Sequence, residues 1–584
     1  MSPSKATRRD VVVVGAGWTG LIAAKTYLEL APETDLLIVD EGLSIGGVWC
    51  KERLYPDLYA QVSHPLFEYS FYEMPKEGIS KDGYIPGYII HEYLNNFARD
   101  YELLPRIQLK TTVISVERAT SGSWIVHLAD EQELECEKLI WAIGTASHPI
   151  MPQWESSTFA NPVIHSAHTG TQLKPIASAN RVTVVGGAKS AFDTVYMLLK
   201  EKKTVDWIIR QDGAGTIAMV PPTLFGIWNM VDVVSTRAVA SMSASIMNTS
   251  GFWYKLIHRT RPGRLAAQGF WRWLTYISDR EAGYRSDENF EKLRPTPQGY
   301  GTFWVRAGLG TASAPDFWKT LHSGDLTVYR SEIESLSHTD VVNLKNGISL
   351  QSDMVIACTG FSKPHGPFGV DLREELGLSY SQADAAKWAE LDAVAENNVD
   401  RLLPVLGDIG APGPKPPPQS LPPGSSLSSY QSKNDSQKLK VHTQGPTRHY
   451  RAIVPLKLAA KNDRSICFLG QIHSIFTPTT NELAALWASA YMLGKLQLPS
   501  EAVMETQVAD FNAWERKRYL EMGAKNSYCI LDFLSYIDTL AKDLGIRPAR
   551  KSDPFSEMFV RYKPRDYKGL VNEFLAAQVK LRAS

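Results

Sequence analysis

The apolar residues of this chain come in short unbroken runs, and many of the runs stop at a glycine. Val11–Val14 leads into Gly15, Leu139–Ile143 into Gly144 and Ile466–Leu469 into Gly470, while Arg181-Val-Thr-Val-Val leads into Gly186. A run that is apolar at every position, rather than at alternate ones, is a strand buried on both faces, as in a parallel sheet. After Gly20 and after Ser190 the pattern changes to that of a helix. Strand, tight turn and helix in succession predict an α/β chain of Rossmann-type units. Residues 107–145 read as strands of a small sheet. From about residue 500 the chain reads as helices of mixed polarity.

Two of the strand–turn–helix units carry chemistry. Val11 to Gly20 fills G-x-G-x-x-G: Gly15 allows the tight turn, Gly17 lets backbone approach a pyrophosphate, and Gly20 packs helix against strand. The helix then presents unbonded N–H groups and a positive dipole end to phosphate. The next strand ends at Asp40, with Glu41 following, at the distance expected of a ribose-hydroxyl acceptor. Gly46 and Gly47, just before Trp49, again suit backbone lying close to a ligand. The second unit, Gly186-Gly187-Ala188-Lys189-Ser190-Ala191, is a degraded form of the motif. Its following strand ends in Arg210, which accommodates a 2′-phosphate where an acid would repel it. Lys189 either adds positive charge there or is a solvated surface lysine.

Composition narrows the possibilities. The chain has 584 residues, 44% hydrophobic and 21% charged, and its 62 Lys+Arg balance 62 Asp+Glu. Zero net charge gives no reason to expect nucleic acid as a partner. Five scattered cysteines with no C-x-x-C argue against a redox disulfide and against a metal site. The N-terminus has no apolar leader and no apolar run reaches the length of a membrane span, so a cytoplasmic protein is expected. Residues 212–300 interleave Trp228, Phe252, Trp253, Phe270, Trp271, Trp273 and Tyr276 with Arg259, Arg261, Arg264 and Arg272. This stretch reads as a helical insertion: an ordinary subdomain, a lid over a bulky apolar substrate, or a peripheral membrane contact. The Pro/Ser/Gly-rich stretch 412–436 cannot bury enough to order itself.

The first glycine motif, the acid ending the second strand, and Gly-Gly-x-Trp at Gly46–Trp49 together resemble the class B flavoprotein monooxygenases. That class includes flavin-containing monooxygenases, N-hydroxylases and Baeyer–Villiger monooxygenases. The resemblance implies that the first motif holds FAD and the second NADPH. It also implies two Rossmann-type domains, the NADPH domain being inserted into a discontinuous FAD domain. The expected order is FAD domain 8–165, NADPH domain 166–340, FAD return 341–500 and a helical C-terminal region 501–584. In the class, the stretch Tyr55–Phe71 passes the flavin ring. Gln61 then stands near the Asn of flavin-containing monooxygenases, and Ser63 and His64 are candidates for the same pocket. Baeyer–Villiger enzymes carry Asp near Gln61 and Arg near Tyr59, which this sequence lacks. Phe159 and His165 fit the class's linker motif, whereas Asn161 and Thr169 depart from it. His165 is either a hinge residue between domains or a buried histidine satisfied by backbone. Cys358-Thr359-Gly360-Phe361 resembles the return motif to the FAD domain. Thr480 or Asn481 would cap a helix aimed at the flavin pyrimidine. The implied activity is an NADPH- and O2-dependent FAD monooxygenase that oxygenates a bulky small-molecule metabolite through a flavin hydroperoxide. At subclass level the pattern is most like fungal biosynthetic enzymes of secondary metabolism. A Baeyer–Villiger enzyme acting on a ketone, or a non-oxygenating NADPH-dependent flavin reductase or oxidase, are the alternatives.

Overall fold

In the computed structural model the described residues are 6–156, 158–211, 213–224, 228–312, 314–362, 365–378, 382–409 and 447–583. The stretch 412–436 lies outside them. Strand β1 (Thr7–Val14) is the centre of the first sheet. It pairs in parallel with β2 (Leu36–Val39) on one side and β6 (Glu133–Trp141) on the other. β3 (Ile107–Gln108) extends the sheet beyond β2, and the late strand Ile466–Phe468 lies parallel to the end of β6. β4 (Val113–Arg118) and β5 (Trp124–Leu128) are antiparallel and join the start of β6. All four valines of Val11–Val14 are buried, which is why the run is unbroken. Each such side chain contributes roughly 1.5–3 kcal/mol by leaving water.

Helix α1 (Trp18–Leu30) follows the glycine turn and packs along the helix Thr477–Met492. Every residue of that second helix from Pro478 to Met492 is buried. It is a central helix, buried on every side, which joins the two halves of the first domain across the chain. The helix Phe533–Asp543 packs against it, and Glu501–Lys525 packs against Gln382–Leu402. The C-terminal helices are therefore part of the first domain's body.

The second sheet has five parallel strands in the order Leu326–Arg330, Thr204–Ile209, Arg181–Val185, Met354–Ala357, Val163–His165. The anticipated boundaries at 165 and 341 thus fall inside the second unit. The chain crosses instead at the turns after Gly144 and Gly360. There His148–Pro149 and Phe361–Ser362 pair antiparallel as a short ribbon. The insertion is helical, with Met230–Val234, Arg237–Ser241, Gly251–Arg259 and Arg261–Ala282 its main helices.

Two glycines make opposite predictions. A Cβ on Gly20 would collide with the Gly15 carbonyl oxygen, whereas a Cβ on Gly269, within the helix Arg261–Ala282, meets nothing within 4 Å. Gly20→Ala should destabilise the protein by about 3 kcal/mol through overpacking. Gly269→Ala should stabilise it by roughly 0.5–1 kcal/mol through helix propensity. Thermal and urea melts of the two variants check this, and equal melting points would contradict the close contact of helix and strand.

Candidate active site

The first cradle is built by close backbone contacts. Gly15 has φ +110°, and a Cβ there would lie 2.6 Å from the Ala142 carbonyl oxygen. A Cβ on Gly17 would face the Gly47 Cα at 3.5 Å, so two side-chain-free surfaces meet where the short turn Gly47–Trp49 begins. No side chain caps the N-terminus of α1 at Gly17, which leaves its first N–H groups for an anion. Asp40 accepts hydrogen bonds from the N–H of Ala16 (2.6 Å) and of Gly42 (2.7 Å). The carboxylate placed for a ribose hydroxyl is thus also the brace of the turn, with Glu41 exposed beside it. These features fit a dinucleotide whose pyrophosphate lies against Gly17.

The second cradle repeats the arrangement. Gly186 has φ +132° and its carbonyl accepts the Trp207 indole N–H at 2.6 Å. A Cβ on Gly187 would lie 2.7 Å from the Gly215 carbonyl oxygen. The helix Lys189–Lys200 starts after Ala188, again without a side-chain cap, and Ser190 sits half-buried in its first turn. Lys189 is not a solvated lysine: its ammonium pairs with Asp193 one turn on. Arg210 is exposed at the end of its strand. Lys525, which ends the helix Glu501–Lys525, is near enough to feel its charge. Burial and then the Arg210 charge hold the Lys525 ammonium below its usual range.

The helix Thr477–Met492, whose N-cap is Phe476, also starts without a side-chain cap. Pro478 in the first turn sets this start one turn earlier than anticipated. Thr480 and Asn481 are therefore buried inside the helix rather than capping it, and the Thr480 hydroxyl bonds that of Ser474 at 2.9 Å.

Between the cradles lies a cavity of about 270 Å³. Trp49, from the first cradle, and Asp193, on the helix launched by the second, both line it. The rest of the wall is largely apolar. Leu58 and Phe67 come from the loop after the first cradle, Trp271 and Leu274 from the insertion, and Ile530 and Leu531 from the C-terminal region. Of the residues lining the cavity, Tyr59 and Asp193 alone carry ionisable groups. Gln61 lines it, with its carboxamide against Gly310 and its backbone carbonyl accepting the Thr311 hydroxyl at 3.0 Å. Ser63 and His64 do not line it. The His64 Nε2 bonds the Met74 carbonyl at 3.1 Å instead, which takes both residues out of the anticipated pocket.

Two buried carboxyls pin the loop that carries Gln61 and Phe67. Glu482 accepts from the Ser70 N–H (3.0 Å) and hydroxyl (2.6 Å), and Glu68 accepts from the Met74 N–H (2.7 Å). Burial pushes both carboxyls up to about 7, against the lowering effect of these hydrogen bonds. Behind Trp271, the fully buried Arg518 donates to the carbonyls of Ser243 (2.7 Å) and Phe303 and stacks on the Phe303 ring at 3.9 Å. Neither Arg518 nor Lys525 was legible in the sequence, since each acts on residues hundreds of positions away.

At the crossing, the His165 Nδ1 accepts the Ala167 N–H (3.1 Å), so Nε2–H donates to the Gly360 carbonyl (3.0 Å). Burial pushes this imidazole down to about 4, so it stays neutral. The Thr359 hydroxyl donates to the Ile150 carbonyl at 2.5 Å. Thr359 and Gly360 thus hold the crossing together. Asn161 bonds the Ser352 carbonyl at 2.9 Å, and Thr169 is fully buried with its hydroxyl on the Ser166 carbonyl. All five cysteines are buried and unbridged, and no metal-ligating cluster occurs among the described residues. No helix among them is long and apolar enough to cross a membrane.

The family described as pyridine nucleotide-disulphide oxidoreductase matches residues 12–223. FAD-dependent monooxygenase DEP4 of Alternaria brassicicola is 51% identical over 97% of this chain and 94% of its own length. FAD-dependent monooxygenase rstn6 of Aspergillus nomiae is 35% identical over 97% of this chain and 98% of its own. Among solved structures, cyclohexanone monooxygenase from Rhodococcus sp. Phi1 bound to NADP+ superposes with TM-score 0.59 at 16% identity. It covers 96% of this chain and 100% of its own. That likeness concerns the fold.

The Glu482 carboxyl yields a pH prediction. Its value is raised from 4.5 to about 7, so the folded state holds the proton more tightly than the unfolded one. The stabilisation this gives is complete below about 4.5 and is lost as pH rises through about 7. Glu482→Gln, which keeps the contacts to Ser70 without a titrating group, should flatten that fall and leave the part due to Glu68. Urea midpoints across the pH range measure it; a variant as pH-sensitive as the parent would contradict the assignment.

Proposed function

This chain belongs to the FAD-dependent monooxygenases, and we propose that it uses NADPH and O2 to oxygenate a bulky, largely apolar metabolite in the cavity beneath Trp271. The observation that carries the reading is that Trp49 and Asp193, one at each glycine cradle, line the same cavity. When bound, FAD supplies the transfer of electrons from NADPH to O2 and the activation of that oxygen.

The chain's own residues do the rest. Gly17 and Gly47 let backbone approach the dinucleotide, and the uncapped start of α1 faces its phosphates. Arg210, with Lys525 near it, receives the 2′-phosphate and so selects NADPH over NADH. The start of Thr477–Met492, where Thr477 lines the cavity, would set a positive dipole end near the negative charge that develops on reduction. The apolar wall of Leu58, Phe67, Leu274 and Leu531 excludes water from the site. Gln61 offers a donor group and an acceptor to the reacting oxygen in a largely apolar wall. We read the protein as a cytoplasmic enzyme of specialised metabolism, in line with its fungal relatives.

The reading as a whole is tested by following labelled O2 into product while the holoenzyme oxidises NADPH over a panel of apolar metabolites. Incorporation of one labelled atom is expected; NADPH oxidation that proceeds equally well without O2 would replace the reading with a reductase. Arg210→Ser should raise the KM for NADPH by about 10–100-fold and leave that for NADH nearly unchanged, the loss of a charged hydrogen-bond pair. Gln61→Leu should leave flavin reduction intact but divert at least about tenfold more of the reducing power to hydrogen peroxide. Unchanged coupling in Gln61→Leu would remove Gln61 from the chemistry.

A further inference from the structure

The outer face of the insertion has a feature that the cavity does not use. On the helix Gly251–Arg259, Phe252 and Trp253 are 69% and 38% exposed; on the helix Pro554–Phe559, Phe555 and Phe559 are 70% and 50% exposed. Their rings touch in sequence: Phe252 to Trp253 at 5.3 Å, Trp253 to Phe559 at 6.4 Å, and Phe559 to Phe555 at 5.0 Å between centroids. Two segments about three hundred residues apart thus assemble one exposed aromatic ridge, with Leu256 exposed alongside. Leaving such a ridge in water is costly, and a contiguous patch of this kind marks an interaction surface.

Charge says what the surface meets. Between Asp232 and Asp279 the chain has no Asp or Glu but contains Arg237, Lys255, Arg259, Arg261, Arg264 and Arg272. Arg237 is turned inward to Asp538 and Glu557, and Arg264 pairs with Asp408. Lys255, Arg259 and Arg261 are exposed on the aromatic helix or at its end, whereas Arg561, exposed just beyond Phe559, pairs with Asp232. Of the acids beside these rings in sequence, Glu557 is turned inward to Arg237 and Asp553 caps the short helix. Aromatic rings ringed by cations match the interface of an anionic lipid bilayer, where rings sit at headgroup level and Lys and Arg meet phosphate and carboxylate.

We propose that this ridge docks the enzyme peripherally on an anionic membrane surface. The helix Arg261–Ala282, continuous with the basic corner, places Trp271 and Leu274 in the cavity wall. Docking therefore sets the apolar cavity close to a lipid phase from which apolar substrates partition.

The test uses the full-length holoenzyme and vesicles of phosphatidylcholine with and without phosphatidylserine. Sedimentation with phosphatidylserine vesicles is expected, falling with added salt and much weaker on phosphatidylcholine alone. Phe252→Ser/Trp253→Ser/Phe559→Ser and, separately, Lys255→Glu/Arg261→Glu should each reduce vesicle binding by about tenfold or more. Both should keep their flavin and their rate of NADPH oxidation, which separates lost docking from lost folding. Absence of vesicle binding, or binding that both variants retain, overturns the proposal. So does light scattering that shows a dimer which the aromatic variant splits, since the ridge would then belong to a second copy of the chain.

Discussion

The place that a Cβ of Gly20 would fill is taken by the Gly15 carbonyl oxygen. That single steric fact brings α1 down onto β1 and points the helix's first N–H groups at the turn. The same closeness recurs at Gly186, where a Cβ would run into the Cys358 carbonyl. In both units the helix starts without a side-chain cap, so its orphan donors are left for a ligand to satisfy. Other helices carry side-chain caps, at Asn229, Thr236, Thr260, Asp287 and Asp553, while those after Pro86, Ser250 and Ser500 also start without one.

The cavity belongs to no one part of the chain. The first domain contributes the loop with Gln61 and Phe67, the second contributes Asp193, the insertion Trp271 and Leu274, and the C-terminal region Leu531. Such a composite wall needs rigid backing, and the buried polar groups supply it. Arg518 spans from the C-terminal helix to the insertion, its charge met by carbonyls and aromatic faces in place of water. At Leu520 the helix leaves its regular geometry, with φ 49°, beside the fully buried Arg518 and Tyr519. Glu482 and Glu68 do the same for the loop opposite.

What the sequence revealed and what it hid divide by range. Val11–Val14, Gly15, Gly17, Gly20 and the parallel strands were readable because an unbroken apolar run and a tight turn are local properties. The departure at Arg210 was readable for the same reason. The start of the helix Thr477–Met492 was misplaced by one turn, although Pro478 carries the signal for it. His64 could not be placed, because nothing in an aromatic and polar loop says which side chain turns to the Met74 carbonyl. The C-terminal helices carried no motif because their contribution consists of contacts such as Arg518 to the Ser243 and Phe303 carbonyls, which no local window contains. His165 proved to be the buried histidine satisfied by backbone, between the Ala167 N–H and the Gly360 carbonyl.

The two strands of chain that connect the domains run side by side. His148–Pro149 and Phe361–Ser362 form one ribbon, tied by the Ile150 N–H to the Gly360 carbonyl at 3.0 Å and by the Thr359 hydroxyl. That ribbon is one fastening among several: Arg237 of the insertion pairs with Asp538, Arg306 pairs with Glu521, and Arg518 reaches the Ser243 and Phe303 carbonyls. The gap between the cradles is therefore set by the ribbon and these pairs together.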